Sequence, residues 1–281
     1  WYDEVAVAGA LNASGVARSE FFITTKLHPR DHGFGAVRKA VERSLAAFGT
    51  DYLDLFLLHY PACFGSLCTK AEAAAAEARG GWQASWQLLQ DLVAEGRLRA
   101  VGVSNFDEAT LDLLEPPPHV VQNWMDPFHQ DRRVRAWCAK HGVAYTSYST
   151  LGGQWEHLPY PQHRQQRGNP VVVSPVLAAV AEARHVPRSL VVLAWALQRN
   201  SSIVPRSSRR SHIFENARLL GLRSAEGAES ELALTLSDAE LASIDALDGV
   251  ADAHPDCPHW ARAGECAANP GYMLETCQAS C

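Results

Sequence analysis

No apolar run in this 281-residue chain reaches the roughly eighteen residues a membrane span needs, so the sequence predicts no bilayer crossing. Basic residues are not in excess either. There are 25 Lys and Arg against 31 Asp and Glu, a formal charge of −6, which leaves no general footprint for nucleic acid. The apolar-poor composition of a disordered chain is also absent, since 47% of residues are hydrophobic and 20% charged. No Gly-x-Gly-x-x-Gly turn follows a strand-like run, which weighs against an open dinucleotide-binding sheet. No His-x-His strand pair makes a metal-dependent hydrolase of His28, His32 and His59, and no metal site is expected. The chain starts at Trp1 rather than at methionine, so an incomplete or processed product is expected.

What is present suits one large globular domain or two smaller ones. Short β-branched or apolar runs alternate with amphipathic stretches. Phe21–Thr25, Leu53–Leu58, Ala100–Val103, Val120–Trp124, Val143–Tyr148 and Ser202–Val204 read as strands. Ala36–Phe48 puts Val37, Ala40, Val41, Leu45 and Phe48 on one helical face, and helices are also read over Trp82–Glu95, Leu177–Arg184, Leu190–Gln198 and Ile213–Leu220. Asp107 and Ser237 read as N-caps. Near-continuous apolar strands alternating with helices predict an α/β fold with a parallel sheet. Six units are visible, and a (β/α)8 TIM barrel needs eight, so two would precede Trp1. Two insertion-like stretches, Pro61–Gly81 and Gly152–Pro170, follow strand ends.

Polar residues collect where the strands end: Lys26, His59, Ser104 and Asn105, Tyr148 and Ser149, Arg206 and Ser207, with Gln122 falling in the fourth strand. In a parallel barrel these ends open on one face. Ordinary strand-end polarity explains any one of them, but six strands ending this way are harder to dismiss.

Thr24-Thr25-Lys26-Leu27, Asp51-Tyr52-Leu53-Asp54-Leu55, Leu58-His59-Tyr60-Pro61, the run Glu95 to Phe106, and Val204-Pro205-Arg206-Ser207-Ser208 followed by Glu215-Asn216 together resemble the aldo-keto reductases over residues 1–248. The resemblance implies the (β/α)8 barrel, lacking its first strand–helix units. It also implies an NAD(P)H-dependent oxidoreductase that reduces a small-molecule aldehyde or ketone to an alcohol by hydride transfer. In such enzymes a tyrosine donates the proton, a lysine lowers its pKa, an aspartate pairs with the lysine, and a histidine orients the carbonyl. Lys26 is then the lysine and His59 the histidine. An ammonium about 4 Å from a phenol, at an effective dielectric near 20, contributes about 4 kcal/mol, which brings a tyrosine from near 10 towards 7.

The aspartate would fall before Trp1. The tyrosine's place, three residues before Glu4, holds Trp1, with Tyr2 one residue away. The resemblance further implies that Ser104, Asn105 and Gln122 bond the nicotinamide carboxamide, that Tyr148 stacks on its ring, and that Ser149 and Leu151 begin the pyrophosphate loop. Arg206 and Ser207 would hold the 2'-phosphate of NADP, and Glu215 and Asn216 the adenine. Arg206 stands where the family usually has lysine, and it keeps the charge while adding a fork suited to phosphate. A second phosphate-binding arginine of the family aligns with His212, where Arg209 and Arg210 could compensate. NADP(H) is expected over NAD(H).

Four of the seven cysteines lie in the last 25 residues. Residues 252–281, with Trp-Ala-x-x-Gly-Glu-Cys-x-x-Asn-Pro-x-Tyr-Met at their centre, resemble the ShK-toxin-like (ShKT) domain. The pairings implied are Cys257–Cys277 and Cys266–Cys281. Some thirty residues need such staples, and a loop of about twenty residues gains roughly 3 kcal/mol from each. Zinc is disfavoured because only Cys277 and Cys281 have ligand spacing. Cys63 and Cys68 either pair or are loop thiols. The disulfide tail points to an oxidising, secretory or extracellular setting and the barrel to the cytoplasm. The competing function is a catalytically impaired nucleotide-binding barrel, a sensor or scaffold whose ShKT tail binds a protein or ion-channel-like partner.

Overall fold

A computed structural model of the chain describes residues 3–63, 67–156, 169–219 and 234–248. Trp1, Tyr2 and the four tail cysteines lie outside the described residues. Internal contacts group the chain into two compact units. One runs to Asn123 and resumes over Arg133–Ala144; the other takes Trp124–Arg132 and the described residues from Tyr145 onward.

In the first unit, β1 (Thr24–Leu27), β2 (Leu53–Leu58), β3 (Leu98–Ser104) and β4 (Val120–Trp124) run parallel in chain order, with Thr24 opposite Leu55, Leu53 opposite Leu98 and Ser104 opposite Gln122. Every residue of β2 is buried, as a parallel strand covered on both faces requires. The helices are α1 (Glu4–Ala13), α2 (Ala36–Phe48), α3 (Lys70–Ala78), α4 (Gly81–Ala94), α5 (Glu108–Leu111) and α6 (Arg132–His141). The apolar face read in α2 is the buried one. The alanine-rich run in the first insertion folds as α3, started by a capping box between Thr69 and Glu72. The same insertion holds a disulfide between Cys63 and Cys68. Asp107 caps α5 through Thr110 N.

In the first unit two elements stand out as different from the sequence reading. Strand β1 begins three residues later than the run Phe21–Thr25, because the chain before it is held by a side-chain network. The Arg18 guanidinium donates to Phe21 O, and Ile23 N donates to Asp54 Oδ2 at 2.9 Å, while Phe22 is 70% exposed. Helix α1 had not been read at all. Asp3 caps it through Ala6 N, and its Glu4 carboxylate accepts from Thr25 Oγ1 at 2.6 Å and Ser44 Oγ at 2.9 Å, tying it to β1 and α2.

In the second unit, β5 (Ala144–Tyr148) and β6 (Ser202–Ile203) are parallel, with Thr146 opposite Ser202. Strand β6 stops a residue short of the sequence reading, and Val204 is exposed. Helices α7 (Pro175–Arg184), α8 (Arg188–Gln198), α9 (Arg210–Arg218) and α10 (Asp238–Asp245) follow. The α8 run Leu190–Ala196 is fully buried. Trp195 donates from its indole to Asp245 Oδ1 at 2.8 Å, and Arg199 pairs with the same carboxylate. Ser237 and Glu240 form the capping box of α10.

Candidate active site

Parallel register sets Lys26 opposite Leu57 and Leu27 opposite Leu58, and His59 N donates to Leu27 O at 3.2 Å. Lys26 and His59 therefore stand at adjacent strand ends of one sheet. Burial pushes the Lys26 ammonium down to about 8. Burial, and after it the Lys26 charge, pushes the His59 imidazole down to about 4. Near neutral pH the pair is one cation beside one neutral imidazole. Such an imidazole can donate a single N–H without adding a second positive charge.

The next strand end is locked to this pair. Asn105 Nδ2 donates to His59 O at 2.8 Å and to Ser104 Oγ at 3.2 Å. Asn105 sits at φ 61°, a left-handed position that asparagine tolerates better than most residues. Its N–H donates to Asn123 Oδ1 at 2.7 Å, and Asn123 Nδ2 donates to Phe106 O. Asn123 is a residue the sequence reading passed over. Its position after Gln122, facing the other side of β4, was the available signal. Ser104 and Gln122 are buried. The Gln122 amide makes no hydrogen bond among the described residues, and the Ser104 hydroxyl proton has no acceptor among them. A buried amide and a buried hydroxyl with donors to spare fit a carboxamide ligand.

In the second unit Tyr148 ends β5, half-buried, and Ser149 follows at φ 52°. The chain then turns tightly. Gly152 N donates to Ser149 O at 2.8 Å, and Asn169 Nδ2 donates to Leu151 O at 2.9 Å. Gly152 has φ +79°, and a Cβ there would meet Asn169 at 2.1 Å, so only glycine fits. Past β6, Arg206 is exposed. The Ser207 hydroxyl bonds the backbone of Arg209, accepting from its N at 3.0 Å. Arg206, Arg209 and Arg210 give the turn its positive charge, and His212, Glu215 and Asn216 follow on α9, His212 exposed and the other two half-buried.

The sequence reading also missed a buried acid in the second unit. Asp126 is inaccessible to solvent. Its Oδ2 accepts from the indoles of Trp124 and Trp155, each at 2.8 Å, and its Oδ1 from Phe128 N at 2.8 Å. Trp155 belongs to the 3-10 turn Gly153–Glu156, so this carboxyl anchors the start of the second insertion. Burial pushes Asp126 up to about 7, against these N–H donors. A carboxyl raised on folding contributes stability that is present below its unfolded pKa, near 4, and is lost as pH climbs through its folded value. Asp126→Asn has no such dependence. The variant is therefore expected to gain on the wild type in thermal midpoint as pH rises from 4.5 to 7.5. A constant difference across that window would refute the assignment.

Residues 2–247 match the aldo/keto reductase family and residues 250–281 a ShK domain-like family. The chain is 30% identical over 261 residues to morphine 6-dehydrogenase of Pseudomonas putida, covering 90% of this chain and 78% of that protein. It is 31% identical over 226 residues to an NADPH-dependent D-xylose reductase of Meyerozyma guilliermondii, covering 75% and 70%. Among solved structures, an aldo/keto reductase from Brucella melitensis superposes with a TM-score of 0.67 at 28% identity, covering 87% of this chain and 80% of that one. A Bombyx mori aldo-keto reductase in complex with NADP gives 0.69 at 26% identity, covering 88% and 75%. The chain belongs to the aldo/keto reductase family. Its fold class is the α/β barrel of that family, followed by a ShK-like module, and its chemistry is that of NAD(P)H-dependent carbonyl reduction.

Proposed function

We propose that this protein reduces aldehyde or ketone groups of small molecules with NADPH, and that Lys26 and His59 are the groups of this chain that act on the carbonyl. The observation that carries the reading is the placement of a buried ammonium and a neutral imidazole at adjacent strand ends, next to the buried Ser104 and Gln122. The cofactor, when bound, supplies the hydride to the carbonyl carbon. Ser104, Asn105 and Gln122 hold its carboxamide, and Asn105 also ties the end of β3 to the His59 carbonyl. His59 donates its N–H to the carbonyl oxygen, and the Lys26 charge favours the oxyanion that develops there. Lys26 also lowers the pKa of any phenol set beside it, which is how a tyrosine acid would be brought to working pH.

In the second unit we assign Tyr148 to the nicotinamide ring, Ser149 and Leu151 to the pyrophosphate, Arg206 and Ser207 to the 2'-phosphate, and Glu215 and Asn216 to the adenine. The domains are proposed as 1–248 and 252–281. The Cys63–Cys68 disulfide and the ShK-like segment favour an oxidising compartment, where the segment's own bridges, Cys257–Cys277 and Cys266–Cys281, would form and it would bind a partner protein.

The direct test follows NADPH oxidation by the whole chain over a panel of aldehydes and ketones. Cofactor binding without turnover on any of them would leave the scaffold reading in its place. Arg206→Ala is expected to weaken NADPH about 10- to 100-fold, as loss of charge-assisted bonds worth about 1.5–3 kcal/mol implies, with NADH unaffected. Equal changes for both cofactors would remove Arg206 from the 2'-phosphate.

A further inference from the structure

The first unit contains a cavity of about 490 Å3 with no part in the chemistry above. It lies where the 3-10 turn Pro29–Asp31, the first turns of α2, and α3 meet, and its charged lining is Arg30, Lys39, Arg43, Arg79, Asp31 and Glu72. Four cations against two carboxylates stand out in a chain whose formal charge is −6.

Both carboxylates are already engaged. Asp31 pairs with Arg43 at 2.9 Å. Glu72 accepts from Thr69 N at 2.8 Å and Thr69 Oγ1 at 2.9 Å, which hold its carboxylate at the start of α3. Arg30 and Lys39 form no salt bridge among the described residues. Arg79 donates from Nε to His32 O at 3.0 Å and from its terminal nitrogen to Arg30 O at 2.7 Å. Carbonyl oxygens orient a guanidinium but leave its charge in place.

The cavity wall is rigidly built. Phe34 N donates to Arg79 O at 2.9 Å, and a Cβ on Gly33, at φ +93°, would meet Arg79 at 2.3 Å, so the turn closes on Arg79 only with glycine there. His32 behind it is buried and bonded through both ring nitrogens, to Ser85 Oγ at 2.9 Å and Tyr60 O at 2.8 Å.

We propose that this cavity binds a small phosphate ester. A volume of this order is that of a small-molecule site, with more room than bare phosphate fills. The excess of two positive charges matches a phosphomonoester, which carries about −1.5 to −2 at neutral pH. The oriented Arg79 fork, with Arg30 and Lys39 beside it, suits its oxygens. The cavity shares no lining residue with the groups assigned to carbonyl reduction or cofactor binding, so its failure would leave the reductase reading untouched.

The test is isothermal titration of the whole chain with β-glycerophosphate at constant ionic strength, with succinate as a second probe. The expected result is one saturable site that weakens at least tenfold in the double variant Arg30→Ala, Lys39→Ala, and in Lys39→Glu alone. Both side chains are exposed, so the fold is expected to survive, and thermal midpoints check it. Binding should be unchanged in Arg206→Ala and in the charge-matched surface control Arg97→Ala, Lys140→Ala. Absence of binding to the wild type overturns the proposal. So does loss in Arg206→Ala with retention in the cavity variants, or an equal loss in the control. Succinate binding as tightly as β-glycerophosphate overturns the phosphate assignment.

Discussion

Lys26→Met is expected to lower kcat for carbonyl reduction by about 100-fold or more while raising the thermal midpoint of the protein. The first effect follows from the proposed role. A charge placed at the reacting oxygen, and tuning a neighbouring acid, acts mainly in the transition state, and such acid–base machinery contributes about 10² to 10⁴ in rate. NADPH affinity, read by fluorescence titration, should change little. The second effect comes from the cost of keeping the ammonium buried. Its pKa falls from 10.5 in the free side chain to about 8 because burial penalises the charge. A lysine lowered on folding destabilises the native state below its folded pKa, and the penalty fades as pH climbs towards the unfolded value. Methionine fills similar space without a charge, so its advantage should be largest below pH 8 and vanish above about 10.5. A variant that loses stability at pH 7, or that keeps its turnover, would contradict the assignment.

The largest structural effect is expected at Asp54. This carboxylate is 2% exposed at the second residue of β2, where it accepts from Arg18 at 2.8 Å, Ile23 N at 2.9 Å and Arg99 at 3.0 Å. The two guanidiniums also pack on Tyr52, at 4.1 and 3.9 Å from its ring centroid. Asp54→Ala leaves a buried N–H without an acceptor and two cations without their counter-charge. Breaking a buried pair costs about 3–5 kcal/mol, and with Arg99 half-exposed the lower end, about 3 kcal/mol, is expected. At about 2–4 °C per kcal/mol the melting temperature should fall by roughly 6–12 °C. Asp54→Asn keeps an acceptor and should lose less. The same network sets where β1 begins, two residues before Lys26, so the surviving Asp54→Ala protein should also reduce carbonyls more slowly. A melting temperature within 2 °C of wild type, an effect of under about 1 kcal/mol, would show that the network is not structural.

The chemistry-bearing strand ends were legible because parallel strands covered on both faces are written as short unbroken apolar runs, and the polar residue that stops each run is the one left at the rim. Lys26, His59 and Ser104 were found this way, and Gln122 as the polar residue inside the fourth run. The α2 face and the Ser237 capping box were legible for the same local reason: period and cap chemistry reside in neighbouring residues. Strand β1 was misplaced because Phe21 and Phe22 are apolar but held outside the ladder by Arg18, whose own partner Asp54 lies 36 residues further along the chain. Helix α1 escaped because most of its alanine- and valine-rich surface is exposed, and only the Asp3 cap marks its start. Asp126 could not be read in advance, since its meaning lies in two indoles, one of them 29 residues further along. The charged cavity was invisible for a related reason: its lysine and arginines come from three elements that only the fold brings together.

Trp124 and Trp155 donate to one oxygen of the same dry carboxylate, with their rings 5.2 Å apart and edge to face. An indole bonded to a buried carboxyl and one bonded to bulk solvent emit at different wavelengths. The chain thus carries its own label at the start of the second insertion, and any displacement of the Gly153–Glu156 turn during turnover would be recorded as a colour change in tryptophan fluorescence without a dye being attached.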